Sequence, residues 1–257
     1  MSRFDDKVVF ITGGVRGIGA AATDRFLAEG ATVVAADISE ETFEDFRKER
    51  AEAGDRLQVV TADVTDAASV ESAVAAAVDR HGGIDATVAN AGLALAGTIL
   101  ETSVEDWRKT FEVDVNGVFN TARAVLPYLI RRRGALVTTA SICGIAGDFG
   151  IAAYSAAKGA VVNLTRSLAV DYGRHGVRVN AVAPGPVLTD RMAAFLAADA
   201  SLRATFDERT PLGRIVTPHE VAATMAFLAS GDASGISGVI LPVDGGLTAW
   251  TGMPPTI

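Results

Sequence analysis

A single cysteine, Cys143, rules out any disulfide within the chain, and three scattered histidines, His81, His175 and His219, supply no metal-ligand spacing. No structural zinc is therefore expected. No uncharged apolar segment approaches the roughly 18 residues that a membrane span requires. The opening stretch, Met1 to Lys7, holds acids and no apolar run, so it does not read as a secretory signal. The protein is expected to be soluble and cytoplasmic. Basic charge is also scarce, with 23 Lys and Arg against 31 Asp and Glu and a net charge of -8. Such a surface repels phosphate backbones and anionic headgroups, which excludes nucleic acid and membranes as partners. The one basic cluster, Arg131 to Arg133, precedes Gly134 at an expected helix end, where cations complement the helix dipole. Aromatic residues make up only 6% of a chain that is 49% apolar, so the core must be built from Ala, Val, Ile and Leu, the composition of buried parallel strands.

Short Val- and Ile-rich runs recur at Val8–Ile11, Val33–Ala36, Leu57–Thr61, Ala86–Ala89, Ala135–Thr139, Val177–Val182 and Val239–Val243. Helical patterns lie between them, as where Val70, Val74, Ala77 and Val78 share one face. This alternation predicts βαβ units and a parallel sheet. Helix boundaries are written in Thr217, Pro218 and Glu220, which combine an N-cap, a first-turn proline and a reciprocal carboxylate. Ser103 with Asp106 is a second start signal, and Gly30 and Gly134 stand at helix ends. The whole chain, 1–257, reads as one domain. One stretch departs from the alternation: about 186–213, following Pro184, is proline-punctuated and then apolar, and is expected to be a mobile flap over a substrate.

Directly after the first strand come Thr12, Gly13, Gly14, Val15, Arg16, Gly17, Ile18 and Gly19, followed by a helical pattern. A strand, a glycine turn and a helix make a phosphate cradle: the backbone turns tightly, approaches a pyrophosphate without a Cβ in the way, and offers it the free N–H groups of a helix start. The second strand ends in Asp37, eighteen positions after Gly19, where an acid meets the hydroxyls of an adenosine ribose. The expected fold is therefore α/β, a single-domain Rossmann-type doubly wound parallel sheet of about seven strands with helices on both faces. A carboxylate at Asp37 repels a 2′-phosphate, which favours NAD over NADP; Arg16, able to reach such a phosphate, is the contrary sign.

Tyr154 and Lys158 stand one helical turn apart on one face. A cation held near a phenol stabilises the phenolate, which lets Tyr154 act as acid or base at working pH. Ser141 ends the preceding strand, at the sheet edge where open α/β folds bind ligands, and its hydroxyl can donate to a substrate oxygen.

With these residues in order, the chain resembles the short-chain dehydrogenase/reductase family, in its small single-domain branch, over nearly its whole length. The resemblance rests on Thr12 with Gly13, Gly17 and Gly19, on Asp63 and Val64, on Asn90, Ala91 and Gly92, on Asn116, on Ser141, Tyr154 and Lys158, and on Pro184, Gly185 and Thr189. Ala89 stands where the family commonly has a first asparagine, a departure that bears on a strand-end hydrogen bond and not on catalysis. By the resemblance, Ile18 joins the glycine turn at the cofactor, Asp63 and Val64 contact the adenine, and Asn90 to Gly92 line the cleft. Asn116 would hold a relay water beside Lys158, which in turn would bind the nicotinamide ribose. Pro184, Gly185, Val187 and Thr189 would close the cofactor site, Thr189 holding the carboxamide. Cys143, Phe149, Pro186 and Met192 would border the substrate with Ser141. Family members are usually tetramers packed partly through two long helices, so a homotetramer is expected, with the tail 251–257 crossing a subunit boundary.

The expected activity is hydride transfer between NAD(H) and a small secondary alcohol or ketone, hydrophobic or cyclic, with Tyr154 exchanging the proton. The alternatives are an NADPH-dependent carbonyl reductase of 3-oxoacyl type and a non-catalytic nucleotide-sensing module, the latter having no use for Asn116, Ser141, Tyr154 and Lys158 together.

Overall fold

The apolar runs become seven parallel strands among the described residues, 2–253, of the computed structural model. They are β1 (Val8–Thr12), β2 (Thr32–Asp37), β3 (Leu57–Thr61), β4 (Ala86–Ala89), β5 (Ala135–Thr139), β6 (Arg178–Pro184) and β7 (Ile240–Val243), in the order β3-β2-β1-β4-β5-β6-β7. Helices α1 (Gly17–Ala28), α2 (Phe43–Glu49), α3 (Ala67–His81), α4 (Val104–Phe111), α5 (Gly117–Arg132), α6 (Ala152–Gly173), α7 (Asp190–Ala197), α8 (Ala200–Arg209) and α9 (Pro218–Ala229) connect them. The last part of the tail expected to cross a subunit boundary, 254–257, lies outside the described residues.

The first strand shows why these runs are continuously apolar. Val8 and Phe10 point into a core beneath α3, α5 and α6, whereas Val9 and Ile11 point into a second core beneath α1 and α9. A strand covered on both faces has no side on which to place polar residues. Phe10, Phe26, Leu129 and Met225 are fully buried, each stabilising the fold by roughly 1.5–3 kcal/mol. Register then fixes the working edge: Thr12 pairs with Ala36 on one side and Ala89 on the other, so β1, β2 and β4 end together. The chain winds outward from β1 to β3 and returns to β4, and the crevice opens at that reversal.

Helix starts follow the expected chemistry. Ser103 accepts the Asp106 N–H at 2.9 Å, and the Thr217 N–H donates to the Glu220 carboxylate at 2.8 Å while the Thr217 hydroxyl caps the Glu220 N–H. At the end of α5 it is Arg133, with φ 52°, and not Gly134 that turns left-handed. The basic cluster is used locally: Arg132 donates to the Gly82 carbonyl at 3.0 Å and Arg131 lies against the Tyr128 ring. The stretch 186–213 is largely the helix pair α7 and α8, tied over the crevice where Arg191 donates to the Ala94 carbonyl at 3.2 Å.

Arg214, 2.7 Å from Glu220, and the Thr217 amide hold the Glu220 carboxyl down at about 2, below its ordinary 4.5. A carboxyl lowered in the folded state stabilises above its unfolded value, and that stability is lost as pH falls through the folded value. Glu220→Gln should therefore unfold at a lower temperature than the parent near neutrality, with the gap closing as pH drops from 4.5 toward about 2 in thermal denaturation followed by circular dichroism.

Candidate active site

At the carboxyl ends of β1 to β5 lies a cleft of about 460 Å³. Gly13, Arg16 and Ile18 line it from the β1–α1 turn, Asp37 from the end of β2, Asp63 and Val64 from beyond β3, and Asn90, Ala91 and Gly92 from beyond β4. Ile38 lines it beside Asp37, and Tyr154, Lys158 and Thr189 line its other end with Thr139 and Arg191. Gly17 and Gly19 shape the cleft from behind. A Cβ on Gly19 would collide with the Gly13 carbonyl oxygen, so the first turn of α1 sits against the loop that precedes it. The N-terminus of α1 carries no side-chain cap, which leaves its N–H groups free for an anion.

Asn90 fastens this end of the sheet. Its N–H donates to the Thr12 hydroxyl at 3.1 Å, its amide donates to the Thr12 and Gly13 carbonyls at 3.3 and 3.2 Å, and its amide oxygen accepts from the Thr139 hydroxyl at 3.3 Å. Asp63 accepts from the Thr65 N–H at 2.9 Å, and the Val64 carbonyl accepts from Asn120 at 2.9 Å, so the β3–α3 loop is held against α5. At the β2 end, Asp37 accepts the Ser39 N–H at 3.1 Å and lies 3.6 Å from the Arg16 guanidinium, which also bonds the Ser39 hydroxyl.

The chemical end is built on α6. Tyr154 and Lys158 lie one turn apart, with the Lys158 ammonium 5.5 Å from the Tyr154 ring centre. Lys158 is 2% exposed; it donates to the Thr139 carbonyl at 3.0 Å and lies 3.1 Å from the carboxylate of Asp114, which is itself fully buried. Ser141 is buried just beyond the end of β5 and accepts the Cys143 N–H at 3.2 Å. Burial pushes the Tyr154 phenol above its ordinary value; Lys158 and Ser141 pull it back, while Asp114 and Cys143 push with the burial. The expected lowering by the lysine is therefore present but outweighed in the free protein. Burial likewise raises the Asp114 carboxyl against the pull of Lys158, and raises the Cys143 thiol, which suits a pocket residue better than a nucleophile.

Asn116, expected beside Lys158, is not brought there. It is exposed and donates to Glu112 at 2.8 Å, while Asp114, two residues earlier, faces the ammonium. The reason is local: Glu112–Asn116 is a π-helical turn between α4 and α5, which rotates side chains away from the α-helical spacing. The signal available in the sequence was an acid flanked by Val113 and Val115. Among the remaining expected residues, Pro184 ends β6, the Gly185 N–H donates to Val243, Val187 is buried beside Val216, and Thr189 caps α7 by accepting the Met192 N–H at 3.3 Å. Cys143 is buried, Pro186 and Met192 are half-buried, and Phe149 is 96% exposed. Among the described residues, no group of three or more His, Cys, Asp or Glu side chains could hold a metal ion, and no helix is long and apolar enough to cross a membrane.

A family model described as enoyl-(acyl carrier protein) reductase matches residues 13–248. The chain is 46% identical to meso-2,3-butanediol dehydrogenase of Serratia marcescens, across 99% of this chain and 100% of that one. It is 44% identical to cis-4-hydroxycyclohexanecarboxylate dehydrogenase of Sinomonas cyclohexanicum, across 96% and 98%. The crystal structure of levodione reductase superposes with a TM-score of 0.89 at 37% identity, covering 96% of this chain and 99% of that one.

The tight packing of the glycine turn makes a direct prediction. Gly19→Ala places a methyl group against the Gly13 carbonyl and should weaken nucleotide binding by at least about tenfold, a loss of about 1.4 kcal/mol, as read by fluorescence titration or calorimetry.

Proposed function

We propose, from the premise that this chain belongs to the short-chain dehydrogenase/reductase family, that it moves a hydride between NAD(H) and a small, hydrophobic or cyclic secondary alcohol or ketone. The observation that carries this reading is one cleft lined by Asp37 at its nucleotide end and by Tyr154 and Lys158 at the other, with Ser141 acting on Tyr154. The dinucleotide fits what the residues offer: an uncapped helix start for its pyrophosphate, a glycine turn without a Cβ in the way, and a carboxylate for its ribose hydroxyls. When bound, it supplies or accepts the hydride. Tyr154 takes the alcohol proton during oxidation and returns it during reduction, while Ser141 steadies the substrate oxygen. Lys158 favours the phenolate and binds the nicotinamide ribose. Asp63 and Val64 would hold the adenine, Asn90 to Gly92 would form the wall, and Thr189 would hold the carboxamide, with Pro184, Gly185 and Val187 on the segment that leads from β6 to it.

NAD is the preferred carrier because the Asp37 carboxylate repels a 2′-phosphate. Arg16 supports a second reading, an NADPH-dependent carbonyl reductase, since its guanidinium stands at the same end. Its position 3.6 Å from Asp37 and bonded to Ser39 favours NAD, because that cation is already engaged by the carboxylate.

Two relatives whose names specify a butanediol and a hydroxycyclohexanecarboxylate support a small or cyclic secondary alcohol as substrate. Cys143, Pro186, Met192 and the exposed Phe149 supply an apolar border for it, and α7 with α8 serves as the flap that closes over it. A homotetramer agrees with the apolar groove between α5 and α6, where Leu126 and Leu164 form the floor and Phe119 is half exposed.

Two measurements test the reading. Tyr154→Phe keeps the ring but removes the transferable proton, so turnover of secondary alcohols should fall by at least about 10²-fold with NAD affinity retained, followed by nicotinamide absorbance; near-parental turnover refutes the assignment. Asp37→Ala should shift the ratio of NADP to NAD binding toward NADP by about tenfold or more, equivalent to about 1.4 kcal/mol, and an unchanged ratio would point to the reductase reading.

A further inference from the structure

The mechanism above leaves unused a titratable group buried within the site itself. Asp114 is fully buried, its Oδ1 lies 3.1 Å from the Lys158 ammonium and accepts the Leu93 N–H at 3.0 Å, and its Oδ2 is buried with no hydrogen-bond partner among the described residues. The surroundings make room for the pair: a Cβ on Gly92 would stand 2.8 Å from Asp114 Oδ1 and 3.2 Å from Lys158 Nζ. An acid is not needed merely to hold the lysine by hydrogen bonding, since a neutral amide oxygen would accept the same proton. A carboxylate does something an amide cannot, which is to cancel charge.

We propose that Asp114 is the charge-balancing and positioning residue of this site: its carboxylate holds the Lys158 ammonium and offsets part of the positive field at Tyr154, and so sets the pH above which Tyr154 accepts the alcohol proton. The inference rests on the reading of Tyr154 as the proton-transferring group, but its physical content concerns the phenol alone. The groups facing that phenol are Lys158 from α6 itself, Asp114 from the π-helical turn, and Ser141 and Cys143 from the segment after β5, with Asp148 behind the cysteine at 3.7 Å. Lys158 is the cation of this set, and Arg191, which lines the same end of the cleft, is bonded to the Ala94 carbonyl, so whatever neutralises Lys158 acts directly on the phenolate. Asp114 pushes the phenol in the same direction as burial does, which is the sign the proposal needs.

The test uses Asp114→Asn, which keeps shape and a hydrogen-bond acceptor while removing charge. The chain has three tyrosines, so an ultraviolet difference titration of the full-length protein without cofactor, compared with Tyr154→Phe, isolates the Tyr154 phenolate. In Asp114→Asn that signal should appear at lower pH than in the parent. The rising limb of the pH profile of kcat/KM for alcohol oxidation should move the same way, and Asp114→Glu should return both toward the parent. Should Asp114→Asn not fold, Asp114→Ser gives the same titration. An unmoved phenolate signal overturns the proposal, as does loss of activity with an unshifted profile, which is what a merely structural aspartate produces. A phenolate signal that moves while the kinetic limb stays fixed supports the charge balance at Asp114 and instead refutes Tyr154 as the proton-transferring group.

Discussion

A buried ammonium governs the chemical end of this molecule. Lys158, at 2% exposure, is a charge taken out of water, and the interior must supply charge and hydrogen bonds in place of its hydration. Three parts of the chain supply them: the Thr139 carbonyl from the end of β5, the Asp114 carboxylate from the junction of α4 and α5, and the space left by Gly92 after β4. Each constrains its own element. The β5 strand must end with a carbonyl aimed at α6, the α4–α5 junction must turn through a π-helical segment to present an acid inward, and the β4 loop must do without a side chain.

These constraints meet where the sheet topology already opens a crevice. Because β1 and β4 are neighbours while their connections leave in opposite directions, a crevice opens at their carboxyl ends. Asn90 closes that gap in the backbone, bonding β1 through Thr12 and Gly13 and β5 through Thr139. The same Thr139 carries both a hydroxyl bonded to Asn90 and a carbonyl bonded to Lys158. The nucleotide end and the chemical end are thus mechanically joined through a single residue of β5.

The nucleotide end was legible in the sequence because it is local. The glycine turn, the helix that follows it and the acid ending the next strand are fixed by backbone demands within a stretch of chain short enough to read, and the inner strands β1, β2, β4, β5 and β6 follow from runs that both faces of the sheet require to be apolar. At the chemical end the sequence pointed to Tyr154 and Lys158 through their helical spacing along α6, and to Ser141 through its place after the fifth strand. What failed was Asn116, since a π-helical turn breaks the periodicity that spacing arguments assume and carries Asp114 inward in its place. The left-handed Arg133 was missed for a related reason: a residue with no intrinsic preference for that conformation was placed there by its surroundings, where Arg132 already engages Gly82 and Gly134 passes close to Asp85.

On the reading proposed, the phenol is poised by opposing terms of similar kind. Burial and Asp114 favour the neutral form, whereas Lys158 and Ser141 favour the phenolate, and in the free protein the first pair prevails. An oxidised nicotinamide carries a positive charge, so its arrival adds to the side that is losing. Proton acceptance by Tyr154 is thereby favoured by a filled cleft, and on the inference drawn above the Asp114 carboxylate beside Lys158 acts with the burial against it. Holding that carboxylate in the interior leaves its Oδ2 buried with no hydrogen-bond partner among the described residues, a desolvation cost that the ion pair with Lys158 offsets.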